Sequence, residues 1–147
     1  MNYFELELKA ISENEKFARN VVASFVIPLN PTVSELDDIK TAVSEAVTNC
    51  IVHGYNYQTD KPIHIRAEIQ EDNVKIIIRD YGNGIENIEQ AMQPFFTTKA
   101  NDDRSGMGFT VMQSFMDSVL VQSEIGKGTT VIMTRKINND YNEVLNA

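Results

Sequence analysis

The sequence predicts an α+β fold, a two-layer sandwich in which a mixed, mostly antiparallel sheet is covered on one face by helices. Residues 63–69 and 74–80 alternate in hydropathy and flank a short polar turn, and residues 119–124 and 129–137 repeat this arrangement. Such pairs are typical of β-hairpins. Stretches with helical spacing separate the first strand from the first hairpin, and the first hairpin from the second. Hairpins with helices between them favour a sheet with its helices on one side.

The chain opens with a strand and a helix. Residues 3–9 alternate between apolar and charged side chains, as in a half-buried strand. Ser12 and Glu15 then predict a capping box at the start of the first helix. The apolar side chains of this helix recur at Phe17, Val21, Val22 and Phe25. Pro28 ends the helix, because proline cannot continue one.

A second helix is predicted to begin near Thr32 or Ser34 and to run to His53. Its apolar stripe comprises Leu36, Ile39, Val43, Ala46, Val47 and Cys50. Gly54 is a natural C-terminal stop. Because Cys50 falls on the apolar stripe, we interpret it as a core residue and not as a nucleophile.

The sequence patterns after the first hairpin give only approximate bounds for the remaining elements. We expect a short helix around 87–93, a long loop over 95–106 and a helix over 106–119. The polar stretch 138–147 is interpreted as a frayed tail. Residues 1–137 are then predicted to form one domain.

Composition excludes several classes of protein. A length of 147 residues suits one domain with a sizeable core. The net charge of −8, without a basic cluster, argues against binding nucleic acid. No apolar run reaches the ~18 residues that a membrane helix needs, and the N-terminus does not resemble a signal peptide. One cysteine excludes an internal disulfide, which fits the cytoplasm.

Glu45 and Asn49 form the first candidate site. If the apolar stripe of the second helix centres on Val43, Glu45 points away from the core, and Asn49 lies beside it one turn later. The carboxylate could polarise a hydroxyl or a water, and the amide oxygen could ligate Mg²⁺. A solvated polar face would carry the same residues. His53 lies near this edge, where a structural role is the commoner one.

The second candidate is the segment "DYGNGI", residues 80–85. Asp80 ends a strand, and a carboxylate there could accept a hydrogen bond from an exocyclic amine. Gly82 and Gly84 would let a flat ring approach the backbone closely. A plain turn uses the same residue types.

Two further glycine motifs follow. In "SGMGF", Gly106 and Gly108 precede a helix whose free N–H groups could bind an anion, although a structural helix start would look the same. The motif is neither a Walker P-loop nor a Rossmann fingerprint. "GKGTT", residues 126–130, is typical of a hairpin turn.

In this order, the four segments resemble the N, G1, G2 and G3 boxes of the Bergerat ATP-binding fold, over about residues 35–135. Gyrase, the ninety-kilodalton heat-shock chaperones and sensor histidine kinases share that fold. Gyrases and chaperones need further domains, for which the length leaves no room. Neither His53 nor His64 has the setting of a histidine kinase phosphoacceptor, and no dimerisation helix precedes the domain.

The stretches "SELDDIKTAVSEAVTNCIVHGY", "PFFTTK" and "SGMGFTVMQSFMD" are similar to the anti-sigma-factor serine kinases of spore-forming bacteria. This resemblance implies an ATP-dependent protein serine/threonine kinase with ATP or ADP and Mg²⁺ as its cofactors. It makes Glu45 the catalytic base and Asn49 the Mg²⁺ ligand. It also implies a lid over residues 85–105. The other implied nucleotide contacts are Asp80 and Thr129 at adenine, Gly82 and Gly84 around it, Gly106 and Gly108 at the phosphates, and Thr97, Thr98 and Lys99 near the lid.

The resemblance also implies partners. These are a sigma factor of the sigma F type, a small anti-sigma antagonist that accepts phosphate on serine, and a second copy in a homodimer. Glu15, Arg19 and Arg104 match partner-contact positions, although a solvated Arg19 is the alternative. Two other functions remain open: a general-stress anti-sigma kinase with a different sigma partner, and a non-catalytic module that binds a sigma factor and uses ATP only as a structural ligand.

Overall fold

A computed structural model describes residues 1–93 and 108–138 of the chain. The strands are β1 (Asn2–Lys9), β2 (Pro62–Gln70), β3 (Asn73–Asp80), β4 (Ser118–Glu124) and β5 (Gly128–Lys136). The helices are α1 (Glu13–Val26), α2 (Val33–Asn49), α3 (Ile88–Ala91) and α4 (Gly108–Phe115). A 3₁₀ turn, Ile27–Leu29, follows α1, and a π-helical turn, Cys50–Gly54, follows α2.

The strands form one sheet in the order β1-β2-β3-β5-β4. Both predicted hairpins are present, and the α+β class is confirmed. The expectation of a mixed sheet is wrong for the residues described, since all four pairings there are antiparallel. The helical segments between β3 and β4 bring the chain back so that β5, and not β4, pairs with β3.

Helices α1, α2 and α4 cover one face of the sheet, with α2 between the other two. Alternate residues of the strands point at these helices and are buried, as the period of two requires. The largest fully buried side chains are Val22, Val26, Ile39, Val43, Val47, Val52, Ile63, Ile65, Ile76, Ile78, Met112 and Met133. Burying apolar side chains of this size stabilises the fold by roughly 1.5–3 kcal/mol each.

Helix α1 differs from its prediction in two ways. Ser12 has a helical backbone and its side chain makes no capping hydrogen bond, so the predicted capping box is wrong. The side chain of Glu15 pairs with Arg19 one turn later, at 3.1 Å. Phe17 is 51% exposed, whereas Ala18 and Val22 are fully buried. The small Ala18 faces the core, where α1 packs against α2 and leaves no room for an aromatic ring.

Helix α2 begins as predicted, with Thr32 as its N-cap. The Thr32 hydroxyl accepts from the Glu35 N–H at 3.0 Å, and the Glu35 carboxylate accepts from the Thr32 N–H at 2.9 Å. The other carboxylate oxygen of Glu35 accepts from the Asn138 N–H at 2.7 Å, which ties the chain after β5 to this helix start. The predicted stripe is buried from Ile39 to Cys50. The regular helix ends four residues before His53.

Among the residues described, no helix has the length and apolar content that crossing a membrane requires.

Candidate functional site

A cavity of about 1510 Å³ opens between α2, the start of α4 and the ends of β3 and β5. It exceeds the roughly 300–1,000 Å³ of common small-molecule sites, so a ligand as large as a nucleotide fits. Among the residues described, seven of the predicted site residues line it. Gly82 and Gly84 lie on the loop after β3, and the other five are Glu45, Asn49, Asp80, Gly108 and Thr129.

Helix α2 places Glu45 and Asn49 against the start of α4. A Cβ added at Gly108 would lie 3.1 Å from Asn49 Nδ2 and 3.4 Å from Glu45 Oε2. With a side chain at this position, the neighbouring groups would have to shift by a few tenths of an ångström. The carboxylate, the carboxamide and the start of α4 therefore border one small space, and the positive end of the helix is the part of it that suits an anionic group.

Asp80 lies deeper in the cavity and is only 3% exposed. Its Oδ1 accepts a hydrogen bond from the Gly82 N–H at 2.9 Å. Burial raises the pKa of Asp80, although the bonds from Gly82, Cys50 and the Thr129 backbone partly offset this. A buried carboxylate with acceptor capacity left is suited to a ligand that donates hydrogen bonds.

Cys50 is buried as predicted, and it also lines the cavity. Burial, followed by the nearby Asp80 carboxylate, raises the pKa of the thiol well above its ordinary value. The thiol is therefore protonated and unreactive as a nucleophile.

The π-helical turn holds the loop that carries Asp80. A Cβ on Gly54 would lie 2.7 Å from Asp80 Cγ, so the carboxylate packs directly on this glycine. The Gly54 carbonyl accepts from the Asn83 N–H at 2.8 Å, and it leaves no room for a side chain at Gly82. π-turns are frequent at functional sites, and this one fixes the direction of Asp80.

Tyr55, which follows the turn, joins two strand ends. Its buried hydroxyl donates to the Pro62 carbonyl and accepts from the Tyr81 N–H at 2.7 Å. Burial is the main cause that raises the pKa of Tyr55 to about 12. This hydroxyl holds the residue after Asp80 against the start of β2.

Strand register places three polar residues in one row on the helix-facing side of the sheet. Asp80 of β3 pairs with Thr129 of β5, which pairs with Ser123 of β4. Ser123 Oγ lies 2.8 Å from Thr129 Oγ1. In the next row, Ile78, Val131 and Val121 are all buried. The polar row thus marks the point where the apolar core becomes the cavity.

Two glycines allow the loop after β3 to pack on the β4–β5 turn. Gly84 has a φ of +77° and abuts the Glu124 carbonyl, and Gly128 has a φ of +113° and abuts the Asp80 carbonyl. Both the conformation and the space exclude a side chain. The "GKGTT" segment is the hairpin turn that its sequence indicates, and it also forms a wall of the cavity.

Some predicted residues lie elsewhere. Glu15 and Arg19 form their ion pair on α1 and do not line the cavity. Thr97, Thr98, Lys99, Arg104 and Gly106 lie outside the described residues. Ser123, Gly54 and Tyr55 were not predicted as site residues, although Gly54 was predicted to stop the second helix. Ser123 carried a signal as well, because it continues the alternation of Val119 and Val121.

A divalent cation fits the site only in a limited way. Among residues 1–93 and 108–138, no cluster of three or more histidine, cysteine, aspartate or glutamate side chains could hold a metal. Asn49, beside Gly108, offers one amide oxygen. Mg²⁺ in phosphate-transfer sites is commonly held by one or two protein groups together with phosphates and waters, and this donor set fits that pattern.

A cavity of this size, with a buried acceptor at one end and a helix N-terminus at the other, defines a nucleotide-binding domain. The family model described as the histidine kinase-like ATPase domain matches residues 8–135. The anti-sigma F factor of Clostridium beijerinckii is 55% identical over 137 residues, which cover 93% of this chain and 96% of that relative. The anti-sigma F factor of a Geobacillus species is 54% identical over 92% of this chain and 93% of the relative.

The chain therefore belongs to the histidine kinase-like ATPase domain family and, within it, to the anti-sigma F factors. ATP is the nucleotide that this family of domains binds.

Solved structures agree on the fold. The RsbU and RsbW domains of a Mycobacterium tuberculosis protein match with a TM-score of 0.65 and 18% identity, covering 93% of this chain and 32% of that one. The catalytic domain of the histidine kinase ThkA matches with a TM-score of 0.59 and 16% identity, covering 93% and 97%.

Proposed function

We propose that this chain is an ATP-dependent protein serine kinase that also holds a sigma factor of the sigma F type inactive. Its substrate is a small anti-sigma antagonist, which loses activity when a serine is phosphorylated. The observation that carries the kinase proposal is the position of Glu45 beside Asn49 and the start of α4, at the end of the cavity where an anionic group fits. The sigma F partner is proposed from the relatives, which are anti-sigma F factors.

Asp80 and Thr129 would bind adenine. The exocyclic amino group donates to the Asp80 carboxylate, which is buried and has acceptor capacity left. Gly82 and Gly84 keep side chains out of the path of the ring. Guanine has a carbonyl at the corresponding position, and its oxygen would face a carboxylate oxygen. ATP should therefore bind in preference to GTP.

The phosphates would lie at the start of α4. Gly108 places no side chain between this helix start and Asn49, and the helix dipole favours negative charge there. Asn49 would ligate Mg²⁺, which when bound offsets the charge of the phosphates. For Gly106, Thr97, Thr98 and Lys99 the proposal rests on the sequence motifs alone.

Glu45 is the proposed base. Its carboxylate orients the serine hydroxyl of the antagonist and accepts its proton as the serine oxygen attacks the γ-phosphorus. The bond between the γ-phosphorus and the bridging oxygen breaks, and ADP leaves. A positioned base contributes a factor of roughly 10²–10⁴ to such a reaction.

Arg19, with Glu15, is proposed to contact the partners. Arg19 is partly exposed on α1 and lies outside the cavity, so it is accessible to a protein while nucleotide is bound. Arg104 is proposed as a further contact on its sequence position alone. A homodimer and a cytoplasmic location follow from the same resemblance, since a sigma factor acts where transcription takes place.

Single-turnover phosphorylation tests the proposal. The purified chain is mixed with labelled ATP, Mg²⁺ and a purified antagonist, and phosphoserine is identified in the product. The kinase proposal requires phosphate on one serine of the antagonist, and a chain that binds ATP without transferring phosphate would instead be a binding module. Capture of sigma F compared with a general-stress sigma factor distinguishes the two sigma partners.

A further inference from the structure

Ser123 makes a set of contacts that the proposed function leaves without a role. Its Oγ accepts from the Ile85 N–H at 2.7 Å and donates to the Gly128 carbonyl at 3.0 Å. The same oxygen lies 2.8 Å from Thr129 Oγ1. Ser123 is partly buried at the end of β4, and it is not among the side chains that line the cavity.

The hydrogens of this cluster can be assigned by counting. A serine hydroxyl has one proton to donate and two lone pairs that accept. The proton goes to the Gly128 carbonyl, and the Ile85 N–H occupies one lone pair. Either hydroxyl could donate across the 2.8 Å contact, but with the Ser123 proton on the Gly128 carbonyl the remaining lone pair faces Thr129, and Thr129 supplies the proton between them.

This assignment determines what Thr129 offers to a ligand. Its single proton is directed at Ser123, and its lone pairs are left for the cavity, which Thr129 lines. A hydroxyl in this state accepts hydrogen bonds and does not donate them. It is suited to an amino group and unsuited to a carbonyl.

We infer that Ser123 is a positioning residue that holds the Thr129 hydroxyl as an acceptor and so contributes to the choice of an amino-bearing purine. The inference rests on the proposed function, because it takes adenine to be the base that meets Thr129. Ser123 acts through Thr129 and does not touch the nucleotide. Without it, the Thr129 hydroxyl can rotate and donate to a carbonyl at the same position.

The test compares ATP with inosine triphosphate, which has a carbonyl in place of the amino group. Dissociation constants for both are measured by calorimetry on the full chain. Ser123→Ala should weaken ATP binding by about 3–10-fold, in proportion to one hydrogen bond of ~1 kcal/mol. It should weaken inosine triphosphate binding less, so that the preference for ATP falls. A loss of stability alone would lower both affinities and leave their ratio unchanged.

The chain offers a matched control. Ser118 and Thr134 form a second serine–threonine pair on the same strands, with their hydroxyls 2.5 Å apart and exposed. Ser118→Ala should leave the preference for ATP unchanged. Ser123→Thr, which keeps the hydroxyl, should retain the wild-type preference.

A double-mutant cycle tests whether Ser123 affects nucleotide preference through the Thr129 hydroxyl. Thr129→Val removes the hydroxyl on which Ser123 acts, so adding Ser123→Ala to that variant should cause no further fall in the preference. Thermal unfolding confirms that each variant is folded.

The outcomes separate this inference from the proposed function. If the wild-type chain binds ATP but Ser123→Ala keeps its full preference, the inference fails and the proposed function stands. An equal fall in Ser118→Ala, or in the Thr129→Val background, also overturns the inference. A wild-type chain that binds neither nucleotide overturns both.

Discussion

Asp80 is the residue at which stability and binding conflict most directly. The carboxylate is 3% exposed, and burial raises its pKa, so its charged form is disfavoured in the folded protein. Its hydrogen bonds come from the backbone of Gly82 and Thr129 and from Cys50. Among the residues described, these donors leave acceptor capacity on the carboxylate, and a ligand amine would supply a further donor.

Asp80→Asn should weaken ATP binding by about 1–3 kcal/mol, since the amide loses the charge-assisted hydrogen bond and can turn its NH₂ towards the adenine amine. The unliganded variant should be at least as stable as the wild type at neutral pH, because the buried charge is gone. Calorimetry with ATP and GTP and thermal unfolding measure the two effects. GTP binding as tight as ATP binding in the wild type would contradict the role of Asp80.

The raised pKa of Asp80 also predicts how ATP binding depends on pH. In the proposed role, the carboxylate form of Asp80 binds ATP, so affinity should fall as pH decreases through the raised pKa, above the ~3.9 of an ordinary aspartate. Unliganded stability should respond in the opposite sense. The folded state binds this proton more tightly than the unfolded state, so acidification from the raised pKa down to the unfolded value relieves the cost of the buried charge.

Asp80→Asn is the control for both trends. ATP titrations and unfolding experiments over the same pH series should show that the two contributions disappear in the variant. An identical pH dependence in wild type and variant would assign the titration to another group.

Glu45 and Asn49 share one space but are proposed to act differently. Glu45→Gln keeps the size of the side chain and removes its charge. It should lower the rate of phosphorylation by a factor of about 10²–10⁴ while Mg-ATP still binds. A form that binds ATP without turning it over should also retain its sigma partner. Asn49→Ala removes the proposed Mg²⁺ ligand and should weaken ATP binding only when Mg²⁺ is present.

Calorimetry with and without Mg²⁺, beside a phosphotransfer assay, measures both variants. The division of roles fails if Glu45→Gln loses ATP affinity as strongly as Asn49→Ala, or if it keeps normal phosphotransfer.

At the scale of elements, α1 is proposed as the partner-binding surface. Arg19→Glu should leave ATP binding intact and weaken sigma-factor binding, because a reversed charge at a contact lowers partner affinity far more than fold stability. Replacing the salt bridge with Glu15 by a repulsion costs only a few tenths of a kcal/mol. Lys136→Glu, an exposed charge reversal on β5, is the control. Unchanged capture of the sigma factor would make Arg19 an ordinary solvated residue.

The elements show which sequence patterns were sufficient. The stripe of α2 was clear, since large apolar residues recur at helical spacing from Leu36 to Val47, and the positions of Glu45 and Asn49 follow from that phase. In α1 the buried positions include Ala18, which carries little hydrophobic signal, and the pattern assigned the exposed Phe17 to the core. Packing of α1 against α2 determines that Ala18 and not Phe17 is buried. The local sequence of α1 does not contain that contact.

At the scale of the whole molecule, the site depends on contacts that no local pattern contains. The motifs at Asp80 and Gly108 could be predicted, but the packing of Asp80 on Gly54 needs the π-turn and β3 together. The row formed with Ser123 exists because β5 lies between β3 and β4. Hairpin patterns predict neighbouring strands but not the strand order after a helical crossover.

Arg135 connects the layers at a distance from the proposed ligand. Its guanidinium pairs with Asp38 of α2 at 3.1 Å and donates to the carbonyl of Phe115 at the end of α4. Both helices carry parts of the cavity, yet Arg135 itself does not line it. It is therefore a position at which stability can be changed without touching the ligand.

Arg135→Met should lower the free energy of unfolding of the unliganded chain by about 1–3 kcal/mol, since it leaves Asp38 and the Phe115 carbonyl without their charged donor. Added Mg-ATP at 100 times its dissociation constant should still stabilise the variant by about 2.7 kcal/mol, as it does the wild type. At the same ATP concentration, Asp80→Asn should be stabilised much less than the wild type. Its free energy of unfolding without ATP should be at least that of the wild type. Denaturant unfolding with and without Mg-ATP measures all three chains. If Arg135→Met lost the ATP increment as well, the link between α2 and α4 would be part of the binding site, and the separation of scaffold from site would be wrong.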